Sequence, residues 1–210
     1  LDWLKRLLPS RIRTEGILPH TDIYDESIEA KRDWVAARDL ALNGRLTGEA
    51  DLSAKSAVLI KAWLDTYRIS FSPIDETDFD RLFIAYDLLA PDDKAKLAVD
   101  FTRFARTMAE GYLDRLPTLK GASATNNWTS HRVKLMTVAA FASGDDALVA
   151  RSRQAFGKQL NDNLKPDASV IDFAERDALH YVTYDLEPLL MAAFAAHTHG
   201  QDWYSAKNAA

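Results

Sequence analysis

Apolar residues recur along this chain at the spacing of an α-helix, in runs of ten to twenty residues, and each run is stopped by Pro, Gly or Asn-Gly. No alternation of β-branched and polar residues survives for more than a few positions, so a major sheet is not expected. The periodic runs fall at about 25–43, 53–69, 76–89, 93–115, 127–143, 146–163 and 173–197. A short helix over Leu1–Leu8 is an additional possibility, stopped by Pro9-Ser10. Ser27, Asp25 or Asp22 is the expected cap of the first long run, and Asn43-Gly44 its stop. Ser53 is the expected cap of the second, whose apolar stripe reads Ala57, Ile60, Leu64 and Tyr67 or Arg68. Pro91 closes the third and Gly144 ends the fifth, while Pro188 marks a kink or break in the last. Short linkers between such runs imply an antiparallel, all-α array of helical hairpins. No repeat of fixed period is present. The expectation is one helical domain over 1–210.

Composition narrows the chemistry. The chain has no cysteine, which excludes disulfides, thiol nucleophiles and zinc–thiolate sites. It contains no run of eighteen apolar residues, so no membrane span is expected, and no secretory signal pattern opens it. A net charge of −5 gives no general attraction to nucleic acid. A polyanionic ligand would need a local positive site inside an acidic envelope.

Two segments concentrate polar chemistry. The first, Thr125-Asn126-Asn127-Trp128-Thr129-Ser130-His131-Arg132, lies where a loop enters a helix. Asn127 and His131 are four apart and share a helical face. A helix start also favours anions through its free N–H groups and macrodipole. The plainer alternative is that Asn126 or Asn127 is an N-cap and His131-Arg132 a solvated turn.

The second segment runs from Asp172 to Asp185. Asp172 and Glu175 have capping-box spacing, and Leu179, Val182 and Leu186 form an apolar stripe with Tyr181 nearly opposite it. Arg176 and His180 are four apart, as are His180 and Tyr184. A merely solvated face would carry Lys and Glu rather than two Tyr and a His, although an ordinary amphipathic helix remains the alternative. No metal-ligand spacing stands out, and His197 and His199 read as incidental to a helix end.

In order and spacing, these segments resemble the alginate-lyase-like polysaccharide lyases, closest to family 38 or family 5. The resemblance rests on Asn126-Asn127-Trp128-Thr129-Ser130-His131, then Glu175-Arg176-Asp177-Ala178-Leu179-His180-Tyr181. Between them, Asn163-Leu164-Lys165-Pro166-Asp167-Ala168-Ser169 looks like the family's Asp-Gly-Ser stretch with Ala168 for Gly. Ala62-Trp63, Pro73-Ile74-Asp75-Glu76 and Ala85-Tyr86-Asp87-Leu88 extend it, so that it covers about 50–204. Two departures stand out: Trp128 occupies the position where the best-known branch has His, and the chain is short for a closed toroid.

The resemblance implies an (α/α) toroid or incomplete toroid and β-elimination on an acidic, uronate-containing polysaccharide such as alginate or glucuronan. It implies that Asn126 or Asn127 and Arg176 neutralise the substrate carboxylate. His131 would assist as neutraliser or base, and Tyr181 would be the acid and, for syn elimination, also the base, with Tyr184 in reserve. Trp128, Arg132, His180 and Tyr184 would line sugar subsites. It implies no metal or cofactor, a monomer, no nucleic-acid or membrane partner, and a periplasmic or secreted location. Two other readings stay open. One is an (α/α)-toroid glycoside hydrolase using carboxylates among Glu175, Asp177, Asp185 and Glu187. The other is a non-catalytic helical carbohydrate-binding or scaffold domain.

Overall fold

The computed structural model describes residues 7–176 and 179–206, with side chains 174–176 left aside. Among the described residues it is all-helical. The α-helices are α1 (Asp22–Thr47), α2 (Ala50–Thr66), α3 (Asp80–Leu88), α4 (Pro91–Arg115), α5 (Asn127–Ser143), α6 (Asp146–Asn163), α7 (Ile171–Arg176) and α8 (Leu179–Thr198). Two single-turn 3-10 segments, Leu116–Thr118 and Ala122–Ala124, lead from α4 into α5. The expected short helix at Leu1–Leu8 falls almost wholly outside the described residues. None of the described helices is long and apolar enough to cross a membrane.

The backbone separates into two compact units, Leu1–Phe104 and Ala105–Ala210, with the boundary inside α4. In the first unit α1 packs on α2 and α3. Its centre is aromatic. Trp34 meets Trp63 edge-on at 5.2 Å and Phe79 at 5.0 Å, and Phe79 stacks on Phe104 at 5.3 Å. Trp34 and Trp63 are wholly buried, and the Trp63 indole N–H donates to buried Asp33 at 3.2 Å. Glu76, also wholly buried, accepts from the Tyr67 hydroxyl, the Ser70 backbone N–H and the Ser70 hydroxyl. Those three donors satisfy a carboxylate that burial alone would make costly.

The third expected run starts a turn late, at Asp80, and three expected caps and stops in this unit act differently in the structure. The first helix runs through Asn43-Gly44 and ends at Gly48, whose φ of 78° supplies the left-handed cap. Gly44 is there for packing: a Cβ at this position would lie 3.1 Å from the Ser53 backbone nitrogen and 3.3 Å from the Glu49 carbonyl oxygen. Ser53 is not a cap of its own helix but lies one turn inside α2. Its hydroxyl donates to Asp93 and accepts from the Ala90 N–H, both at 2.9 Å, tying α2 to the start of α4. Pro91, read as the stop of α3, is the first residue of α4, where its missing N–H costs nothing. The buried stripe of α2 is Ser53, Ser56, Leu59, Ile60 and Trp63; Ala57 and Leu64 are only half-buried.

In the second unit α5 is the central element, packed by α8 and α6. Its bounds match the expected 127–143. Asn126 is the N-cap, its side-chain oxygen accepting from the Trp128 N–H at 3.1 Å, and Gly144 is the left-handed C-cap. The helix α6 matches its expected 146–163, with the Asp145 carboxylate accepting from the Ala147 and Leu148 N–H groups. Most of α5 is buried, including His131, Arg132 and Lys134. The expected final run is covered by α7 and α8, which flank residues 177 and 178 outside the described set. Pro188 does not break α8, which continues ten residues past it. The buried face of α8 is Asp185, Pro188, Leu189, Ala192, Ala193 and Ala196, so the stripe proposed from Leu179, Val182 and Leu186 is displaced; Leu179 is exposed.

Candidate active site at the start of α5

Between α6 and α7 the chain turns back on itself. Leu164 and Val170 form an isolated antiparallel bridge around a tight turn in which Ala168 has a φ of 65°. This turn returns α7 to the N-terminus of α5. There the Asp172 carboxylate meets Asn127 twice, one oxygen accepting from the Asn127 backbone N–H at 2.7 Å and the other from its side-chain amide at 2.6 Å. The capping-box role suggested for Asp172 by its spacing is thus replaced by a contact reaching across 45 residues. Both side chains are buried.

A second buried carboxylate, Asp185 of α8, lies beside Asp172. It accepts from the Ser130 hydroxyl at 2.5 Å and from the Asn163 amide at 2.7 Å. Gln159 of α6 completes the set, donating to the Ser130 oxygen at 3.0 Å and to the Thr125 carbonyl at 2.8 Å. The Asn163 amide also reaches the Thr125 carbonyl, at 2.9 Å. Burial pushes the Asp185 carboxyl up to about 6; the Ser130 and Asn163 bonds oppose that rise, and the Asp172 negative charge adds to it. The network therefore links α5, α6, α7 and α8 beneath the Asn126-Asn127 helix start.

One turn along α5, the His131 ring meets Tyr184 of α8 at 4.4 Å between centroids. His180 stacks on Tyr184 at 5.9 Å and meets Tyr181 edge-on at 5.4 Å. His131 is buried, Tyr181 and Tyr184 are half-buried, and His180 is exposed, so the four rings run from the interior to the surface. Arg132 takes a different direction from His131. Its guanidinium donates to the Ser123 carbonyl at 2.7 Å and to the Thr129 hydroxyl at 3.2 Å, and lies 5.8 Å from the centre of the half-buried Trp128 ring.

Of the candidates named from sequence, the structure groups His131, His180, Tyr181 and Tyr184 across α5 and α8, while Asn127, one turn before His131, is bonded to Asp172 of α7. Asn126 is held as a cap, and Trp128 and Arg132 pair beside the 122–124 turn. The side chain of Arg176 lies outside the described residues, as do those of Glu175 and Asp177. Asp185, a carboxylate of the hydrolase alternative, is wholly enclosed and committed to Ser130 and Asn163. Glu187 is exposed. Ser130 and Asn163 stand within the segments that carry the family resemblance but have no role assigned from sequence, and Gln159 lies outside those segments. The sequence signal for Gln159 is an amide on a helix face that should be apolar, which becomes informative once the packing is known.

The described residues thus form an all-helical fold with an Asn-Asn start on α5 and a His/Tyr-bearing α8 packed against that helix. The Alginate lyase family model matches residues 7–210, and the chain belongs to that family. A curated polysaccharide lyase of Stenotrophomonas maltophilia (strain K279a) is 42% identical over 69 residues, covering 32% of this chain and 20% of that protein. A histidine-to-alanine variant of alginate lyase A1-III, solved in complex with a tetrasaccharide, is similar in structure with a TM-score of 0.71 at 19% identity. That match covers 100% of this chain and 63% of the solved chain. At this identity the likeness concerns the fold, and the all-α expectation agrees with it.

Proposed function

We propose that this chain carries the site of a polysaccharide lyase that cleaves a uronate-containing polymer, alginate or glucuronan, by β-elimination. The observation that carries the reading is the placement of His131 against Tyr184, with His180 and Tyr181 adjoining, on the same pair of helices that presents a buried and oriented Asn127. Membership in the alginate lyase family supports it.

In this reaction the C5 proton of the uronate becomes acidic only when the attached carboxylate is neutralised. Asn127 and Arg176 supply donors to that carboxylate, Arg176 bidentately, and Asn126 borders them. As the C5–H bond breaks, charge moves into the carboxyl group, where the same donors stabilise it. A base takes the C5 proton, the C4–O4 bond breaks, and O4 leaves with a proton from the acid. The product carries a C4=C5 double bond at its new non-reducing end. Tyr181 serves as the acid and, in a syn elimination, also as the base, a nearby cation lowering the cost of its phenolate; His131 helps neutralise the carboxylate or takes the proton itself. Tyr184 is the alternative acid, being the tyrosine in ring contact with His131. Trp128, Arg132, His180 and Tyr184 line the sugar subsites. No step calls for a metal or cofactor. The polymer is met as a monomeric protein in the periplasm or outside the cell.

The test is incubation with polymannuronate, polyguluronate and glucuronan separately, following the ultraviolet absorbance of the conjugated double bond. The expected result is a rise with one polymer, reduced by about 100-fold or more in Tyr181→Phe and in His131→Ala. Loss in Tyr184→Phe with Tyr181→Phe still active assigns the acid to Tyr184. New reducing ends without unsaturation would replace the lyase by a hydrolase, and binding without turnover by a scaffold.

A further inference from the structure

We propose that Asp172 is a positioning residue of the lyase site, acting through Asn127 by fixing which edge of its carboxamide faces the substrate. This inference rests on the uronate-lyase reading of the site. Its starting point is an excess in the hydrogen bonding at the head of α5.

The first N–H groups of a helix have no partner within it, so a carboxylate on the Asn127 backbone N–H is sufficiently explained as a cap and countercharge. Asn126 already caps the next turn through Trp128. Nothing in capping calls for the second bond, in which the other Asp172 oxygen takes the Asn127 side-chain amide at 2.6 Å. That bond removes the usual freedom of a carboxamide. A carboxylate offers only acceptors, so the nitrogen edge of Asn127 must face Asp172, and turning the amide over would set oxygen against oxygen. The orientation of the Asn127 oxygen and of its second amide hydrogen follows.

Asp172 borders a buried polar network. Asp185 lies beside it, and Asp185 is fixed by Ser130 and Asn163, with Gln159 bracing Ser130. These side chains come from α5, α6 and α8, and all are buried. The Asp172–Asn127 pair is thus set in a packed, hydrogen-bonded surrounding with no room for water-filled slack around the carboxylates. Such a rigid support matters for a donor that must meet developing charge, since misplacement by about 1 Å can cost a factor of about 100 in rate.

The experiment combines kinetics on the polymer the wild type cleaves with side-chain amide NMR of Asn127, assigned by its loss in Asn127→Ala. In the unmodified protein one of the two Asn127 amide hydrogens is expected to exchange slowly, because it is clamped. In Asp172→Asn, which keeps the size of the side chain but adds a donor, the Asn127 resonances shift and that protection is lost. The expected kinetic result is a fall in kcat of about 10- to 100-fold with KM within about twofold. In the Asn127→Ala background, Asp172→Asn has no further effect on kcat, because the role it plays runs through Asn127. Multiplying losses in the double variant, or an unchanged kcat in a folded Asp172→Asn, would overturn the proposal. So would a freely exchanging Asn127 amide in the unmodified protein, a result that stands even if Asp172→Asn does not fold. Absence of unsaturated product from the wild type on every polymer refutes the lyase reading separately, and the amide measurement still decides whether Asp172 clamps Asn127.

Discussion

Replacing Asp185 by Asn should change how the stability of this protein depends on pH, in a direction the structure determines. The Asp185 carboxyl is wholly buried and lies beside Asp172, and its ionisation is pushed up from 3.8 to about 6. A carboxyl raised in the folded state binds its proton there more tightly than in the unfolded chain. Its contribution to stability is therefore fully present below about pH 4 and is lost as the pH rises to about 6. Over that gap, at about 1.4 kcal/mol per pH unit, the loss amounts to roughly 3 kcal/mol. Other carboxyls work the opposite way. Asp93, Asp145, Asp167 and Asp202 are held below their ordinary range, chiefly by hydrogen bonds from Lys96, Leu148, Ser169 and Ser205 respectively, and favour the fold as the pH rises. Those terms are common to both proteins and cancel in the difference. The assay is urea unfolding of wild type and Asp185→Asn, followed by far-ultraviolet circular dichroism between about pH 3.5 and about pH 7.5. The neutral amide has no proton to lose, so the variant should gain on the wild type by roughly 3 kcal/mol across the interval. Whatever fixed cost the amide carries in the Ser130–Asn163 network offsets the whole curve and not its slope. A difference independent of pH, or one that moves against the variant as the pH rises, would refute the argument that burial and Asp172 raise Asp185.

Gly44→Ala should destabilise the first unit by about 1–3 kcal/mol despite the better helix propensity of Ala, because its Cβ would press on Ser53 and Glu49 backbone atoms that cannot move independently; thermal unfolding measures it, and a rise in Tm would contradict it. Ala168→Gly should stabilise by up to about 1 kcal/mol, since the left-handed backbone at this turn costs a Cβ-bearing residue about 1–2 kcal/mol and Gly returns part of that as unfolded-chain entropy; a clear loss of stability in urea would show that the turn is not strained there.

Helix identity was legible along most of the chain because it depends on local signals. Asn126, Gly144 and Asp145 are caps whose side chains or permissive backbone end helices wherever the packing lies, and the bounds of α5 and α6 follow from them. The same local rules misplaced features at Gly44, Ser53 and Pro91. At Gly44 and Ser53 the residue serves a neighbouring segment: Gly44 admits the backbone of Ser53, and Ser53 binds the start of α4. In α8 the apolar stripe was misjudged because Asp185 and Pro188 count as polar or disruptive in sequence, yet lie on the buried face.

The candidate site divides in the same way. Asn127, His131, His180, Tyr181 and Tyr184 are conspicuous as residue types, and their helical spacing is a property of the chain. That His131 meets Tyr184, and that Asp172 rather than a nearer residue takes both donors of Asn127, depends on α8 and α7 folding back across about fifty residues onto α5. Sequence spacing sets which side chains share a helix face. Only the docking of helices sets which carboxylate lies within hydrogen-bond reach of which amide, and burial then raises Asp185 and makes each of those bonds costly to lose.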